Sequence, residues 1–191
     1  MTRLSYRKAL DRALQPLGFT RAGNDWTRLR GEIQDWVNLQ KSWVDGSVTI
    51  NLFAKNLETE RILKSIPCSE VLGIILFGQR IGELIDGLDR WWKNDPHGPA
   101  EVAQAVQVYG IPWFEQVRSL EDEASKWYGR GSTVSWRKPN LAALAVTLFR
   151  LGALEEALAL FDAPVPRTAS PMLVTQGRCV QRWLQAQVRD T

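Results

Sequence analysis

The stretch from Gly18 to Phe53 constrains the fold of this chain more than any other, because apolar and polar residues alternate on both sides of the dipeptide Asp45-Gly46. Asp-Gly between two alternating runs is a strong signal for a β-hairpin with a two-residue turn. With the preceding run from Gly18, the pattern predicts three consecutive antiparallel strands. The cross-strand pairs that this turn predicts are Val44 with Ser47, Ser42 with Thr49, Gln40 with Asn51, and Asn38 with Phe53.

The two faces of this predicted sheet differ in chemistry. One face carries apolar side chains and is the expected core: Val37, Leu39, Val48, Ile50 and Leu52. The other face carries amides, hydroxyls and an indole: Trp36, Asn38, Gln40, Ser42, Thr49 and Asn51. These groups donate or accept hydrogen bonds without a formal charge, whereas a face that meets only water more often carries Lys, Glu and Arg. We expect either pairing across the strands or contact with a partner.

The whole chain is predicted to be α+β. Helical spacing from Ser5 to Leu17 predicts an N-terminal helix, which would pack on an antiparallel sheet of three to five strands. Residues 71–84 fit either a helix or a strand; β-branched residues and spaced glycines favour a strand that would extend the sheet.

A polar, glycine-containing break at residues 129–138 predicts a linker between two domains. The α+β domain would occupy residues 1–128, and a small all-α tail would occupy residues 139–191. Within the tail, two closely joined helices resemble one hairpin of a tetratricopeptide-type repeat, although no second copy follows at the period of that repeat.

Composition narrows the classes of function. The 191 residues carry a net charge of +3 and no long Lys/Arg block, which permits nucleic-acid binding but does not indicate it. Cys68 and Cys179 lie far apart in sequence, so neither a disulfide framework nor a zinc site is predicted, and a reducing compartment is expected. The N-terminus lacks the apolar core of a signal peptide, and the apolar run from Val71 to Phe77 is too short to cross a membrane. We therefore expect a cytoplasmic protein without membrane contact.

Sequence signals for catalysis are weak. His97 is the only histidine and lies in a Pro/Gly-rich loop away from any nucleophile motif, and no phosphate-binding loop or dinucleotide-binding fingerprint is present. Glu83, Asp86 and Asp89 would share one face of a helix and are the only candidates for acid–base chemistry. Arg80 is expected to form a buried or half-buried ion pair with Glu83 or Asp89. No catalytic residue, metal site or cofactor is predicted.

Nine tryptophans are present, and most are expected in the core. Trp36 and Trp43 are the exceptions, because their neighbours place them beside the polar face or near the hairpin tip. An alternative surface comprises basic residues interleaved with Trp26 and Trp36, a combination that can bind phosphates and stack bases. Its residues are Arg21, Arg28, Arg30 and Lys41. Acidic residues lie nearby in sequence, so salt bridges are favoured over nucleic-acid binding for these basic residues. The acidic residues are Asp25, Glu32 and Asp35.

Several short motifs occur in an order that resembles a bacterial family, the domain-of-unknown-function 4304 family. The matching residues are Gly18, Phe19, Arg21, Trp26, Arg28, Asn38, Gln40, Lys41, Ser42, Thr49, Asn51 and Leu52, followed by the segments 80–84, 89–92 and 113–114. The resemblance covers about residues 1–128 and implies an α+β domain with an antiparallel sheet. It brings no established activity. Some members lie near toxin genes, so it also implies a protein-binding role of the immunity type.

The function that these observations favour is a non-enzymatic, cytoplasmic protein-binding module. Its contact surface would be the sheet face with Trp36, Asn38, Gln40, Ser42, Thr49 and Asn51, and its partner an unidentified protein. Nucleic-acid binding through the four basic residues is the alternative.

Overall fold

The computed structural model describes residues 5–68, 77–93, 95–129 and 140–189. Contacts group this part of the chain into two compact units. The first unit comprises the described residues up to Lys55 and from Phe77 to Gln116; the second comprises Asn56–Cys68 and the described residues from Val117 onward. The predicted domains, 1–128 and 139–191, have different boundaries from these two units. They stay a prediction, because the two units are defined by contacts and not by independent folding.

The first unit begins with helix α1, Tyr6–Leu14. The hydroxyl of Ser5 accepts a hydrogen bond from the N–H of Lys8 and so caps the helix, as its position before the apolar pattern predicts. A 3₁₀ turn, Gln15–Leu17, follows, and Gly18 ends it at a φ of 85°, a left-handed conformation that glycine adopts without strain.

Five strands follow in a sheet whose spatial order is the same as the chain order. Their bounds are β1 Thr20–Ala22, β2 Asp25–Arg30, β3 Ile33–Lys41, β4 Val48–Asn56 and β5 Phe77–Arg80. The sheet is antiparallel, with Trp26 opposite Val37 in β2 and β3, and Asn51 opposite Arg80 in β4 and β5. An N-terminal helix, a five-stranded antiparallel sheet and further helices confirm the predicted α+β class.

One face of this sheet belongs to the core of the first unit, as the alternation predicts. The predicted core residues Val37, Leu39, Val48, Ile50 and Leu52 are all buried. Buried Trp26 joins this face to α1, because its indole N–H donates to the Asp11 carboxylate at 2.9 Å.

The turn between β3 and β4 is wider than predicted. The N–H of Ser42 donates to the carbonyl of Ser47 at 2.8 Å, so the loop that this bond closes contains four residues, Trp43 to Gly46, instead of two. The predicted pairing is therefore shifted by two residues. A shift by an even number leaves every side chain on its predicted face, since the side-chain period of a strand is two.

The remaining elements of the first unit are helices. β5 leads into α3, Ile81–Ile85, so the ambiguous segment is strand up to Arg80 and helix after it, while residues 71–76 lie outside the described part. Helix α4, Gly98–Ala105, packs on α1, and a π-helical turn, Val106–Gly110, joins it to α5, Ile111–Phe114.

The second unit consists of five helices among its described residues. They are α2 Leu57–Ser65, α6 Leu120–Gly129, α7 Asn140–Arg150, α8 Leu154–Ala159 and α9 Pro171–Arg189. α7 is the centre of this unit, because each of the other four helices packs against it. α7 and α8 form the closely joined helix pair that the sequence predicts; their likeness to a tetratricopeptide unit stays a prediction.

The cysteines correct one expectation. Cys68 and Cys179 form a disulfide with a Cα–Cα distance of 5.7 Å. The prediction of no disulfide was wrong because 111 residues of sequence separation carry no information about spatial distance. Cys68 follows α2, and both α2 and α9 pack on α7, which brings the two sulfurs together.

Candidate partner-binding surface

The sheet face opposite the core is called the outer face below. Strand alternation and the register of neighbouring strands place the following residues on it: Asp25, Thr27, Trp36, Asn38, Gln40, Thr49, Asn51, Phe53, Gly78 and Arg80. Trp36, Asn38, Asn51 and Phe53 are half-buried, and Gln40 is exposed. The outer face thus brings together five of the six predicted contact residues.

A chain of hydrogen bonds crosses this face from β2 to β4. One carboxylate oxygen of Asp25 accepts from the indole N–H of Trp36 at 2.8 Å and from the amide of Asn38 at 2.6 Å. The carbonyl oxygen of Asn38 in turn accepts from the amide of Asn51 at 3.1 Å. The same amide nitrogen donates to the side-chain oxygen of Gln40 at 3.0 Å. The predicted cross-strand pairing therefore exists, and it fixes the orientation of each amide.

The chain of amides ends in groups that have no partner. In the described part of the protein, the side-chain nitrogen of Gln40 and the side-chain oxygen of Asn51 make no further hydrogen bond. One is a donor and the other an acceptor, and they belong to two side chains that are hydrogen-bonded to each other on a partly exposed surface. A peptide group offers the complementary acceptor and donor.

Aromatic side chains flank the amides. The rings of Trp36 and Phe53 lie 5.4 Å apart on the outer face. Trp43 is 95% exposed in the β3–β4 turn, which agrees with its predicted place at the hairpin tip. Next to β5, the guanidinium of Arg80 lies 5.5 Å from the centre of the Trp91 ring.

Two of the predicted contact residues, Thr49 and Ser42, do not contribute to the outer face as predicted. Thr49 is fully buried although it lies on the outer face, so its side chain is not presented at the surface. Ser42 lies beyond the end of β3, and its hydroxyl accepts from the N–H groups of Val44 and Asp45 at 3.2 and 3.5 Å. Ser42 shapes the turn and is not part of the amide chain.

The turn itself is held by a carboxylate. Asp45 accepts from the hydroxyl of Ser47 at 2.7 Å and from its N–H at 3.1 Å. These bonds favour the ionised form, and they lower the pKa of Asp45 to about 2, with the Ser47 hydroxyl as the largest cause and Ser42 next. The exposed Trp43 is thus carried on a turn that its own polar side chains order.

A shallow depression of about 270 Å³ opens at the β5 edge of the outer face. It is lined by Asn51, Phe53, Gly78, Gln79, Arg80 and Glu83. A Cβ on residue 78 would come within 3.0 Å of the Phe53 ring, so the glycine is what leaves the ring accessible at this edge.

The basic residues of the alternative surface do not lie together on the outer face. Arg28 and Arg30 extend from the opposite face and both bind the fully buried carboxylate of Asp35, with shortest distances of 2.7 Å. The bond to Asp35 raises the pKa of Arg30 and so strengthens its cationic state. Arg21 pairs with Asp11 at 3.2 Å, which leaves Lys41 as an exposed cation near the turn.

The acidic residues proposed for catalysis do not converge. Asp89 pairs with Arg80 at 2.5 Å, and this bond lowers the pKa of Asp89. The predicted ion pair is present, but Asp89 is exposed and not buried or half-buried. Asp86 pairs with Arg90 at 2.6 Å, and Glu83 accepts from Gln79. No group of three or more metal-ligating side chains occurs among the residues that the structure describes.

Sequence reasoning missed Asp25 as a member of the surface, and it placed Phe53 on this face opposite Asn38 without counting it as a contact residue. Asp25 looked like a counter-charge for the arginines, yet it lies opposite Asn38 in the β2–β3 register and starts the hydrogen-bond chain. Alternation along β2, counted from buried Trp26, is the signal that places Asp25 on the outer face. Phe53 follows from the same alternation along β4.

These features define an α+β domain with one covered sheet face and one face of amides and aromatics. The family model described as "Domain of unknown function (DUF4304)" matches residues 10–116, and the chain belongs to this family. The match includes all five strands, so the outer face lies within the family domain. Neither a curated protein nor a solved structure matches the chain. Among the described helices, none is both long and apolar enough to cross a membrane.

Proposed function

We propose that this chain is a non-enzymatic protein-binding module whose contact surface is the outer face, with Trp36, Asn38, Gln40 and Asn51 at its centre. The observation that carries the proposal is that two hydrogen-bonded side chains of the outer face each keep an unused group, the donor of Gln40 and the acceptor of Asn51. Such a pair matches the carbonyl and N–H of a peptide group on a partner.

The energetics of the surface favour this use. Uncharged amides cost less to remove from water than the Lys, Glu and Arg of an ordinary solvated face, so a partner that hydrogen-bonds to them can cover them at a lower cost. The Asp25 charge is already engaged by Trp36 and Asn38. The Trp36–Phe53 pair supplies the large apolar area that interface hot spots use.

The internal hydrogen bonds give the surface order before it binds. Asn51 is held by both Asn38 and Gln40, so its free oxygen has a defined direction. A partner that binds a preordered surface loses less conformational entropy than one that must order it. Binding of this kind would act by occlusion of the partner, which is the immunity-type role that the resemblance to the family implies.

Affinity capture from the native lysate tests the proposal. The tagged chain is compared with a variant carrying Gln40→Leu and Asn51→Leu, and captured proteins are quantified by mass spectrometry after nuclease treatment. Loss of two interface hydrogen bonds, about 2 kcal/mol together, should lower the recovery of a specific partner roughly tenfold or more. Trp36→Ala should lower it as well.

The matched control replaces two exposed glutamines of the same unit, Gln104→Leu and Gln107→Leu, which make the same chemical change away from the outer face. A partner lost by both double variants would place the contact elsewhere or reflect a general effect of leucine. A chain that captures no protein in stoichiometric amount would refute the proposal.

The nucleic-acid alternative has less support. Three of its four cations are engaged by acidic side chains, and Trp26, which would stack bases, is fully buried. A capture that disappears on nuclease treatment and falls steeply with salt would reverse this preference.

A further inference from the structure

The disulfide of the second unit has two unlike sulfurs. Cys68 follows α2 and is half-buried, whereas Cys179 lies on the inner side of α9 and is only 3% exposed. A small thiol in solution therefore meets Cys68 far more readily than Cys179. Accessibility decides which sulfur of a disulfide is attacked.

The charges around the two sulfurs differ in the same sense. A guanidinium nitrogen of Arg182 lies 3.7 Å from the sulfur of Cys179. The sulfur of Cys68 instead lies 3.9 Å from the carbonyl oxygen of Thr175. A cation stabilises a thiolate and a carbonyl oxygen does not, so negative charge is better placed on Cys179 than on Cys68. The less accessible sulfur is thus the better leaving group.

We propose that the Cys68–Cys179 disulfide is a reducible switch that controls how firmly α9 is held in the second unit. A thiolate of an external dithiol attacks the sulfur of Cys68, the disulfide bond breaks, and its electron pair leaves on Cys179. That thiolate is stabilised by Arg182 and then takes a proton from water. The second thiol of the reductant resolves the mixed disulfide, which releases Cys68 as a thiol and the reductant as a cyclic disulfide.

The packing of α9 shows which part depends on the disulfide. Its second half is held without it, because Val180 and Leu184 are fully buried and Trp183 packs on Phe149 with ring centres 4.8 Å apart. The first five residues of the helix are packed less: Met172 is 50% exposed, and the residues up to Thr175 are exposed or half-buried. Reduction therefore loosens the first turns of α9 more than the last. This inference does not rest on the proposed function.

Reduction kinetics test the chemistry. The oxidised full chain is treated with dithiothreitol, samples are quenched by alkylation, and the fraction reduced is followed by mass spectrometry. Arg182→Gln should slow reduction about threefold or more, because the leaving thiolate loses its cation. Arg178→Gln is the control, since it removes the same charge from α9 at an exposed position whose guanidinium binds Gln181 at 2.8 Å. Equal rates for the wild type and the Arg182 variant would overturn the proposed route.

Hydrogen exchange tests the conformational part. Amides of residues 174–176, the first of α9 with a backbone acceptor, should exchange at least severalfold faster after reduction, and amides of residues 180–184 should change less. Cys68→Ser should show the fast exchange with and without dithiothreitol. Unchanged exchange in the reduced wild type, or two reactive thiols in the denatured protein after oxidation, would overturn the switch.

Discussion

The buried carboxylate of Asp35 gives the sharpest stability prediction. Asp35 accepts four hydrogen bonds, at 3.0 and 2.7 Å from Arg28 and at 2.7 and 2.8 Å from Arg30, and its exposed fraction is 0%. Glu115 contacts the same two guanidinium groups at 3.3 and 3.8 Å but is 37% exposed. The two acids share their partners and differ in burial and bond length.

The change Asp35→Asn keeps the shape of the side chain and removes its charge, which leaves two largely buried cations with Glu115, a more exposed acid, as their counter-charge. Removing one partner of a buried ion pair costs about 3–5 kcal/mol. Because Arg28 and Arg30 keep some exposure and Glu115 remains, we expect the lower end, about 3 kcal/mol. Glu115→Gln should cost less than about 1 kcal/mol, since its pairs are longer and solvent screens them.

Urea unfolding of the two variants and the wild type at neutral pH measures both free energies of unfolding. The loss of about 3 kcal/mol for Asp35→Asn corresponds to a fall in Tm of roughly 6–12 °C in a chain of this size. Equal effects of the two substitutions, or a loss of less than about 1 kcal/mol for Asp35→Asn, would refute the argument that burial makes the contribution of Asp35 to stability larger than that of Glu115.

Three further predictions concern the turn, a helix cap and a close backbone contact. Ser47→Ala should raise the pKa of Asp45 from about 2 toward its ordinary value, and NMR titration would measure this change. Because folding lowers the pKa of Asp45, its contribution to the stability of the wild type is complete above about pH 4 and is lost as the pH falls through about 2. Asn56→Ala should cost about 1–2 kcal/mol in thermal unfolding, since its oxygen caps α2 and also accepts from Arg150 at 2.8 Å. Gly82→Ala should lower the Tm clearly, because a Cβ there would lie 2.5 Å from the backbone nitrogen of Arg90.

The sequence predicts the strands and their faces because both follow from local alternation. β3 and β4 are found where the apolar residues alternate, and the outer face holds Trp36, Asn38, Gln40 and Asn51 as predicted. The register was wrong by two residues, since the side chains of Ser42, Asp45 and Ser47 stabilise a four-residue turn that Asp-Gly alone does not indicate.

Features that depend on tertiary packing were harder to predict. The pairing of Cys68 with Cys179 follows from two helices that pack on a third, and the alternation along β4 does not predict that Thr49 is buried. The Arg80–Asp89 pair could be predicted because a strand-to-helix junction brings nearby residues together. Long-range contacts carry no such local signal.

Site-specific photo-cross-linking tests the central claim most directly. A benzophenone amino acid is placed at Gln40 in one preparation and at the exposed Gln104 in another, and each is irradiated in the native lysate after nuclease treatment. The outer face as a protein-binding surface predicts a discrete protein adduct from position 40 and none from position 104. The absence of an adduct at position 40, or the same adduct from both positions, would contradict it.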